Sequence, residues 1–412
     1  MAKMNRRQAL CTFGALPMAL RAEPREALPV AAVVTEYRRN SHADVIVGKI
    51  LEGFHQDGGA GPALKVVSMY LDQLPQRDLG LALCKKHGVR VAKTIGDAVT
   101  MGTNKTQVAG VLSIGEHGNY PQTPDTRQRM YPRRRFFDSI AAALRKGGKV
   151  VPVFNDKHLA YNWKDAKHMH ETAKQMGIPF LAGSSLPVTW RLPATSVPLG
   201  AVMEGAMGIG YGGSESYGFH ALETLQCVVE RRKGGETGIV EVQAVKGQAI
   251  EEARKAGRWS LDLLMAACHA AKIKADAATL PTHLSQRATL FLLRYRDGLR
   301  AAVAMINGAG NQFATAVKLR GQHKPLAHWF WLQDGRPYGH FIFLVKAIEH
   351  TIHTGRPAYP VERTLLTTGV LDRVMHSLHQ NGRRFDTPEL AIPYRPTDWA
   401  FANLNGKHPI PR

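Results

Sequence analysis

The chain has 412 residues, a length typical of two domains of ordinary size and too long for one compact core. Its 54 Lys and Arg residues against 33 Asp and Glu residues give a formal net charge of +21, and 44% of the residues are hydrophobic. This composition excludes an intrinsically disordered chain, and the lack of an apolar run of 18 residues excludes an integral membrane segment.

The cysteines and the basic residues exclude further classes. The four cysteines lie far apart without a CxxC pair, which excludes a disulfide-dense scaffold and a zinc ribbon. The basic residues are dispersed, and no basic tract is longer than three residues. Since no aromatic motif is interleaved with them, we predict no nucleic-acid partner.

The first residues are typical of an export signal. The adjacent Arg6 and Arg7 precede an apolar run from Ala9 to Leu20, and small residues lie near Ala22. Paired arginines before such a run resemble a twin-arginine signal, which exports proteins that have folded in the cytoplasm. We therefore predict a signal segment at 1–27 and an exported, periplasmic protein. The alternative is a basic terminus on a cytoplasmic protein.

Residues 28–192 alternate short apolar runs with helical stretches. The predicted strands are 29–34, 64–70, 108–114, 149–154 and 179–183, and the predicted helices are 43–54, 79–87, 133–145 and 163–176. Apolar strands that alternate with helices indicate an α/β, Rossmann-like domain whose parallel sheet is covered on both faces. Ligands bind such sheets at the carboxyl ends of the strands, so the polar residues that follow each strand are site candidates.

Residues 193–392 predict a second domain of the α+β class. Strand-like runs occur at 239–245, 289–295, 300–306 and 314–319, and Asp297-Gly298 is a typical hairpin turn between two of them. Helical stretches occur at 221–231, 259–271, 339–353 and 362–379. The pattern predicts an open, mostly antiparallel sheet for substrate binding and oligomerisation. Residues 393–412 predict a surface tail.

Three motifs occur in the order found in the glucose–fructose oxidoreductase / inositol dehydrogenase / MocA (Gfo/Idh/MocA) family. DKHLA at 156–160 follows a predicted strand and resembles the family's E-K-P-L-A pattern. GFHALE at 218–223 resembles the G-x-H-x-x-D that begins the second domain, and TGRPAYPVE at 354–362 resembles the closing helix–turn–helix. These matches span nearly all of residues 28–390. The chain therefore resembles a divergent member of this family.

The resemblance implies a homo-oligomeric oxidoreductase that oxidises a sugar or polyol hydroxyl with NAD or NADP. It implies that Lys157 polarises the substrate hydroxyl and that His220 takes its proton as a general base. An ammonium group stabilises a developing alkoxide, and an imidazole near neutrality accepts a proton. Asp156 and Glu223 are expected to orient these two side chains, because Glu223 lies three residues after His220 on one helix face.

The turn after the first strand departs from the family's pattern. The family has G-x-G-x-x-G there, which lets a pyrophosphate approach the backbone at a helix N-terminus. This chain has TEYRRNSH at 35–42, without a glycine. We therefore predict that NAD or NADP is held in a non-standard way. The predicted cofactor-binding side chains are Thr35, Arg38, Asn40, His42, Glu116 and His117.

Two alternatives to hydride transfer remain open. Imidazoles and carboxylates in combination can hold a divalent metal or form an acid–base site. The first alternative is a cofactor-independent or metal-assisted lyase, hydrolase or epimerase that acts on a keto sugar in the same pocket. The second is a non-catalytic sugar-binding protein. The residues of the metal alternative are Glu116, His117, His158 and His220.

Three other features are interpreted without a functional role. Arg133–Arg135 are typical of a solvated helix face. The glycine-rich segment at 205–213 does not follow a strand as a phosphate-binding loop requires. Ser184 lacks the G-x-S-x-G context of a nucleophile.

Overall fold

The computed structural model describes residues 25–276 and 278–401. The predicted signal segment at 1–27 therefore lies almost entirely outside the described residues, and the predicted tail at 393–412 is described only as far as residue 401. Within the described ranges, no helix is both long and apolar enough to cross a membrane.

The first sheet has six parallel strands. They are β1 (Leu28–Val34), β2 (Leu64–Leu71), β3 (Arg90–Val91), β4 (Gly110–Ile114), β5 (Val153–Asp156) and β6 (Phe180–Gly183). Their order is β3-β2-β1-β4-β5-β6. The central β1 is apolar throughout because both of its faces are covered by helices. This sheet confirms the predicted Rossmann-like architecture, and only the two-residue edge strand β3 escaped the sequence pattern.

Five helices accompany this sheet. They are α1 (His42–Leu51), α2 (Gly80–His87), α3 (Ile95–Thr100), α4 (Arg133–Lys146) and α5 (Trp163–Met176). The short α3 was not predicted, and the other four lie within a few residues of their predicted bounds. Ser41 caps α1, since its Oγ accepts a hydrogen bond from the Asp44 amide at 3.3 Å. This cap fixes the chain between β1 and α1 at the carboxyl edge of the sheet.

The second sheet has eight strands. They are β7 (Trp190–Leu192), β8 (Met203–Gly210), β9 (Ile239–Val245), β10 (Thr289–Tyr295), β11 (Arg300–Met305), β12 (Phe313–Leu319), β13 (Leu326–Trp331) and β14 (Phe385–Asp386). Their order is β14-β9-β10-β11-β8-β12-β13-β7, and every neighbouring pair except β11–β8 is antiparallel. The mostly antiparallel sheet confirms the predicted class of the second domain.

Six α-helices occur in the described residues of the second half of the chain. They are α6 (Ser216–Val229), α7 (Gln248–Lys255), α8 (Leu261–Ala270), α9 (Leu280–Arg287), α10 (His340–Thr354) and α11 (Val361–His379). The helix α6 begins five residues earlier than predicted, so His220 lies inside it. It packs on β8, the strand formed by most of the glycine-rich segment. A Cβ atom on Gly210 would lie 2.9 Å from Ala221 Cβ, so glycine permits this close approach.

The last two helices return the chain to the first sheet. Leu344 and Ile348 of α10 lie in the same buried cluster as Val30 and Leu112 of β1 and β4. The helix α11 contacts α5 and β6 on one side and α6 and β9 on the other. The two sheets are therefore held against each other, and the carboxyl edge of the first sheet faces the start of α6.

Candidate active site

A buried charge cluster lies behind the strand ends. Lys157 Nζ is 3.1 Å from Glu116 Oε1, and Arg133 Nη2 donates a hydrogen bond to Glu116 Oε2. All three residues are buried, and Arg133 is completely so. Burial alone would raise the pKa of Glu116, but the charges of Lys157 and Arg133 outweigh it and hold that pKa well below its usual range. Two cations thus share one anion beneath the strand ends.

The position of Arg133 corrects the sequence interpretation. Arg133 is not on a solvated face, because its guanidinium is buried between Glu116 and His158, with Nη1 3.0 Å from His158 Nε2. Its neighbours Arg134 and Arg135 are partly exposed and pair with Asp165 and Asp72.

Lys157 does not take the position expected of a residue that touches substrate. Its backbone is left-handed, with φ of 62°, and its amide donates to the Gly183 carbonyl at 3.2 Å. The ammonium group is directed to Glu116 and is buried. Lys157 therefore acts on the site through its charge.

Asp156 orients His42. This differs from the prediction, in which Asp156 was to orient Lys157 or His220. The distance from Asp156 Oδ2 to His42 Nδ1 is 2.6 Å, and Asp156 is only 1% exposed. A carboxylate in this position fixes the ring and stabilises the charge that forms when Nε2 takes a proton. His42 stands at the first position of α1, so the cap on that helix also positions this ring.

His220 is oriented by Ser184 and not by Glu223. Ser184 Oγ lies 2.6 Å from His220 Nδ1 and also accepts a hydrogen bond from the Leu186 amide at 3.1 Å. Glu223 instead accepts hydrogen bonds from Thr367 Oγ1 at 2.7 Å and from the Ser184 amide at 3.4 Å. The predicted pairing of His220 with Glu223 is therefore wrong, although Glu223 supports the strand end that carries Ser184.

The His220 ring is neutral at physiological pH. Burial lowers its pKa well below the usual value, and the charge of Lys157 lowers it further. A neutral imidazole with Nδ1 bonded to Ser184 leaves Nε2 for a ligand. Burial, with the charge of Lys157, therefore keeps His220 neutral, and Nε2 can accept a proton in the tautomer whose Nδ1–H donates to Ser184 Oγ.

His42 and His220 line one pocket of about 350 Å³ at the seam between the domains. Asn40, His117 and His340 contribute further polar groups to the wall. Five aromatic residues of the second domain also line it, namely Tyr211, Tyr217, Phe313, Tyr338 and Phe341, together with the polar Ser185, Gln333 and Asp334. The pocket thus combines imidazole nitrogens with flat apolar surfaces.

His117 presents a hydrogen-bond donor that has no protein partner. Arg38 Nη2 lies 3.0 Å from His117 Nδ1, and a guanidinium can only donate, so Nδ1 accepts. Burial, with the charge of His42, lowers the pKa of His117 to about 3, and the neutral ring therefore carries its proton on Nε2. This Nε2–H is buried without a hydrogen-bond partner among the described residues.

His340 adds a second unpartnered nitrogen. Its Nδ1 is buried without a hydrogen bond within the described part of the chain. Burial lowers the pKa of His340 to about 3, and the Lys49 charge contributes to the shift. Unsatisfied buried nitrogens that line a pocket are typical of a site that a polar ligand completes.

The metal alternative does not agree with the geometry. Both carboxylate oxygens of Glu116 bind cations, and His158 Nε2 accepts from Arg133. In the ranges 25–276 and 278–401, no group of three or more His, Cys, Asp or Glu side chains is arranged to hold a metal ion. Glu116, His117, His158 and His220 therefore do not form the predicted ligand set.

The turn between β1 and α1 does not fit a pyrophosphate in the standard mode. The Asp44 carboxylate accepts from the Asn40 amide at 2.8 Å and is buried at the N-terminus of α1, where the phosphates would lie. The Glu36 carboxylate is also buried in this turn and pairs with Arg38 Nε at 2.7 Å. Asp44 thus takes up an amide at the place where a pyrophosphate would accept hydrogen bonds, and each carboxylate is paired with an arginine, Glu36 with Arg38 and Asp44 with Arg336.

The predicted cofactor-binding residues separate into two groups. Asn40, His42 and His117 line the pocket. Thr35, Arg38 and Glu116 are used by the protein itself: Thr35 Oγ1 donates to the Glu116 carbonyl, Arg38 binds Glu36, and Glu116 binds Lys157. Of the second group, Thr35 and Glu116 are buried, whereas Arg38 is partly exposed and lines a separate surface cleft.

Sequence reasoning missed Ser184, Arg133 and His340. Ser184 was noted at the end of a strand but rejected as a nucleophile, and its role as partner of His220 depends on a contact across 36 positions. His340 begins a helix of the second half of the chain and carries no local motif. The sequence feature that could have indicated Ser184 is its position directly after a strand, because ligands bind at the carboxyl ends of the strands of such a sheet.

No protein-family model and no curated protein sequence matches this chain. Solved structures do show its fold.

The structure of GenD2 from gentamicin A biosynthesis, in complex with NAD, is similar with a TM-score of 0.55 and 14% identity, covering 90% of this chain and 99% of that one. Scyllo-inositol dehydrogenase from Lactobacillus casei, with NAD(H) and scyllo-inositol bound, gives a TM-score of 0.52 and 14% identity over 88% and 99% of the two chains. Myo-inositol dehydrogenase from Corynebacterium glutamicum gives 0.52 and 12% over 87% and 98%.

This chain therefore has the Gfo/Idh/MocA dehydrogenase fold, as the motifs implied.

Proposed function

We propose that this protein is an enzyme that acts on a sugar- or polyol-like substrate by acid–base catalysis, with His220 and His42 as its proton-transfer groups. One observation carries the proposal: two imidazoles line the same pocket, and each has one nitrogen anchored by the protein and one left for a ligand. Anchored imidazoles of this kind are typical of general acid–base sites.

The two imidazoles suit complementary roles. His220 is neutral because burial and Lys157 lower its pKa, so it accepts a proton from the substrate. Asp156 anchors Nδ1 of His42 and leaves Nε2 of that ring to exchange the second proton with the substrate. With each group at its anchored position, proton transfer of this type contributes roughly 10²–10⁴-fold to a rate.

The lining of the pocket supports a hydroxylated substrate. Imidazole nitrogens pair with hydroxyl groups, while the rings of Tyr217, Phe313 and Phe341 offer apolar faces to the C–H side of a sugar ring. Scyllo-inositol, bound to a protein of the same fold, supports this substrate class.

A second candidate function is oxidation of a substrate hydroxyl by NAD or NADP. It is favoured by the neighbours whose structures contain NAD or NAD(H). It requires a cofactor position other than the standard one, because the turn after β1 is closed by its own side chains.

The proposal is tested by turnover of candidate substrates. Purified protein is incubated with panels of polyols, sugars and keto sugars, with and without NAD⁺ or NADP⁺, and products are followed by NMR. We expect turnover that falls at least about 100-fold in His220→Gln and in His42→Gln. His168→Gln is the matched control, because His168 is exposed and pairs with Asp138 away from the pocket. Equal turnover in all three variants would contradict the proposal.

Export stays a separate proposal from the sequence. Fractionation of cells that make the full chain tests it, with Arg6→Lys and Arg7→Lys together as the variant. We expect the wild-type chain in the periplasmic fraction and the variant in the cytoplasm.

A further inference from the structure

We infer that the pocket binds the carbonyl oxygen of a keto sugar at His117 and moves protons on that substrate without a nicotinamide. The inference rests on the proposed acid–base function and adds the substrate's functional group and the reaction type. Two independent features carry it: the closed turn after β1 and the unpartnered donor of His117.

The turn after β1 uses its own amides. The amides of Arg38 and Asp44 donate to Ser41 Oγ, and the Asn40 amide donates to Asp44. The amides of Ser41 and Val45 donate to backbone carbonyls of the same turn. In a dinucleotide site such amides face the phosphates. Here the protein has already satisfied most of them.

Side chains also fill the space above the turn. Tyr37 is fully buried, and its hydroxyl oxygen is 2.9 Å from where a Cβ on Gly48 of α1 would lie. Its own Cβ lies 3.2 Å from the corresponding point at Gly80 of α2. The ring therefore occupies the space between these two helices. Removing a capping side chain alone would not open a dinucleotide groove.

The nearby cations do not replace the free backbone amides that a dinucleotide site would offer to the phosphates. Arg38 binds Glu36, Arg336 binds Asp44, and Lys86 binds Glu52. They line a cleft of about 690 Å³ with Arg39 and Arg77, which are exposed and have no ion-pair partner among the described residues. Two exposed arginines on a surface cleft are a weak substitute for a pyrophosphate cradle.

The N–H donor of His117 indicates that the ligand carries a carbonyl oxygen at this place. Because Arg38 can only donate, the proton of the neutral His117 ring lies on Nε2, where a hydrogen-bond acceptor must complete it. The ring of His42 is close by, with its centroid 5.4 Å from that of His117. A fixed N–H donor beside a proton-transfer group is the arrangement that stabilises negative charge developing on a carbonyl oxygen.

The step balances without a further reagent. His220 removes the proton from the carbon next to the carbonyl, and the electron pair of that C–H bond becomes a C=C bond to the carbonyl carbon. The oxygen, held by His117, takes a proton from His42 and becomes the hydroxyl of an enediol. His220 then returns a proton, exchanged with solvent, to the same carbon while His42 takes back the proton of the enediol, which restores the ketone with a solvent hydrogen at that carbon. No oxidant is consumed, and a dehydrogenase-class reaction must supply the ketone.

Cofactor binding is the first test. Isothermal titration of the protein with NAD⁺, NADH, NADP⁺ and NADPH is expected to show no binding tighter than about 1 mM, the weak limit of ordinary substrate constants. Stoichiometric binding of any of the four below that concentration overturns the inference.

Proton exchange is the second test. The protein is incubated in D₂O with the ketones of the common inositols and hexoses. Deuterium is expected at the carbon next to the carbonyl, without added cofactor. His117→Ala is expected to slow exchange about 100-fold, as loss of one oxyanion donor does. His117→Asn keeps an N–H donor and suits the left-handed backbone at this position (φ of 71°), so it is expected to retain part of the rate.

Different results would contradict the proposed acid–base function and the inference about the keto sugar. Oxidation of an alcohol by NAD⁺ that depends on His220, without exchange on any ketone, overturns this inference and leaves the acid–base function intact. Exchange that survives His220→Gln and His42→Gln overturns the proposed function. Equal exchange rates in wild type and His117→Ala would show that His117 does not bind the carbonyl oxygen.

Discussion

The turn at 35–41 and the imidazole pocket beside it are both rich in polar groups but use them differently. In the turn, Ser41, Asp44 and Glu36 are bonded to amides or to arginine. In the pocket, His42 and His220 each use one nitrogen for the protein and keep the other for a ligand. In the first region the serine and the carboxylates are satisfied by the protein, and among the described residues only the Tyr37 hydroxyl of this turn is buried without a partner; in the second region each of the two imidazoles keeps a nitrogen for a ligand.

Whether a polar side chain is fully bonded within the protein distinguishes a structural role from a functional one better than its residue type does. Buried polar groups are normally satisfied, so a closed network indicates a structural role. A side chain with one satisfied anchor and one free end is positioned to act on something that arrives later. The same edge of one sheet carries both kinds.

The largest expected effect comes from the buried charge cluster. Glu116→Gln leaves Lys157 and Arg133 without their shared anion, and we expect a loss of about 3–5 kcal/mol in the free energy of unfolding. Urea denaturation measures it. Glu52→Gln is the control, since Glu52 pairs with the exposed Lys86 and is expected to contribute less than about 1 kcal/mol. Equal losses would show that the cluster is not an electrostatic unit.

The unpartnered His340 makes stability depend on pH. Its pKa is near 3 when folded and 6.5 when unfolded, so only the unfolded chain takes up a proton as the pH falls below 6.5. Stability is therefore complete above 6.5 and is lost progressively between 6.5 and 3. Between pH 7 and 5, we expect the wild type to lose about 2 kcal/mol more than His340→Gln, measured by urea denaturation at each pH.

The control for this pH dependence is His168→Gln, because His168 is exposed at the surface. It is expected to follow the wild type at every pH. If His340→Gln does the same, the ring is not held neutral by its surroundings.

Ser184→Ala is expected to lower kcat/KM about tenfold, because loss of one hydrogen bond of roughly 1–1.5 kcal/mol frees the His220 ring. The pH profile of kcat/KM is expected to shift with it, which a purely structural change would not cause. Ser285→Ala, on the exposed face of α9, is the control. An unaltered profile would place Ser184 outside the site.

Ser41→Ala has the smallest expected effect, a loss of about 1 kcal/mol typical of an N-cap. Thr94→Ala removes the equivalent cap of α3 and is expected to cost a similar amount. Only Ser41→Ala is expected to reduce turnover as well, since His42 follows that cap directly. Equal turnover in both would separate the cap from the pocket.

The sheet edge could be predicted from the sequence, because apolar strands followed by polar residues mark it. Asp156, His42 and His117 were placed at the site on that basis, and His220 was placed there by the family resemblance. Their pairing could not be predicted: Asp156 binds His42, which lies 114 positions away, and Ser184 binds a helix of the other domain. Local motifs carry no information on such contacts.

The strand β8 and the burial of Arg133 were missed because burial outweighed local preference. The strand β8 contains three glycines, which disfavour strands, yet it lies inside the second sheet. Arg133 begins a helix with two other arginines, and its burial depends on two acceptors that follow neighbouring strands, Glu116 and His158. In both cases the deciding neighbour lies elsewhere in the chain.

The close contact between Gly210 and Ala221 sets the distance at which α6 lies from its sheet, and His220 sits one residue before Ala221. The depth to which His220 reaches into the pocket thus depends on the absence of a Cβ atom at Gly210. A Cβ atom at Gly210 would also lie 3.1 Å from Cε1 of Phe313, so a substitution there would shift the catalytic ring and an aromatic wall of the pocket together.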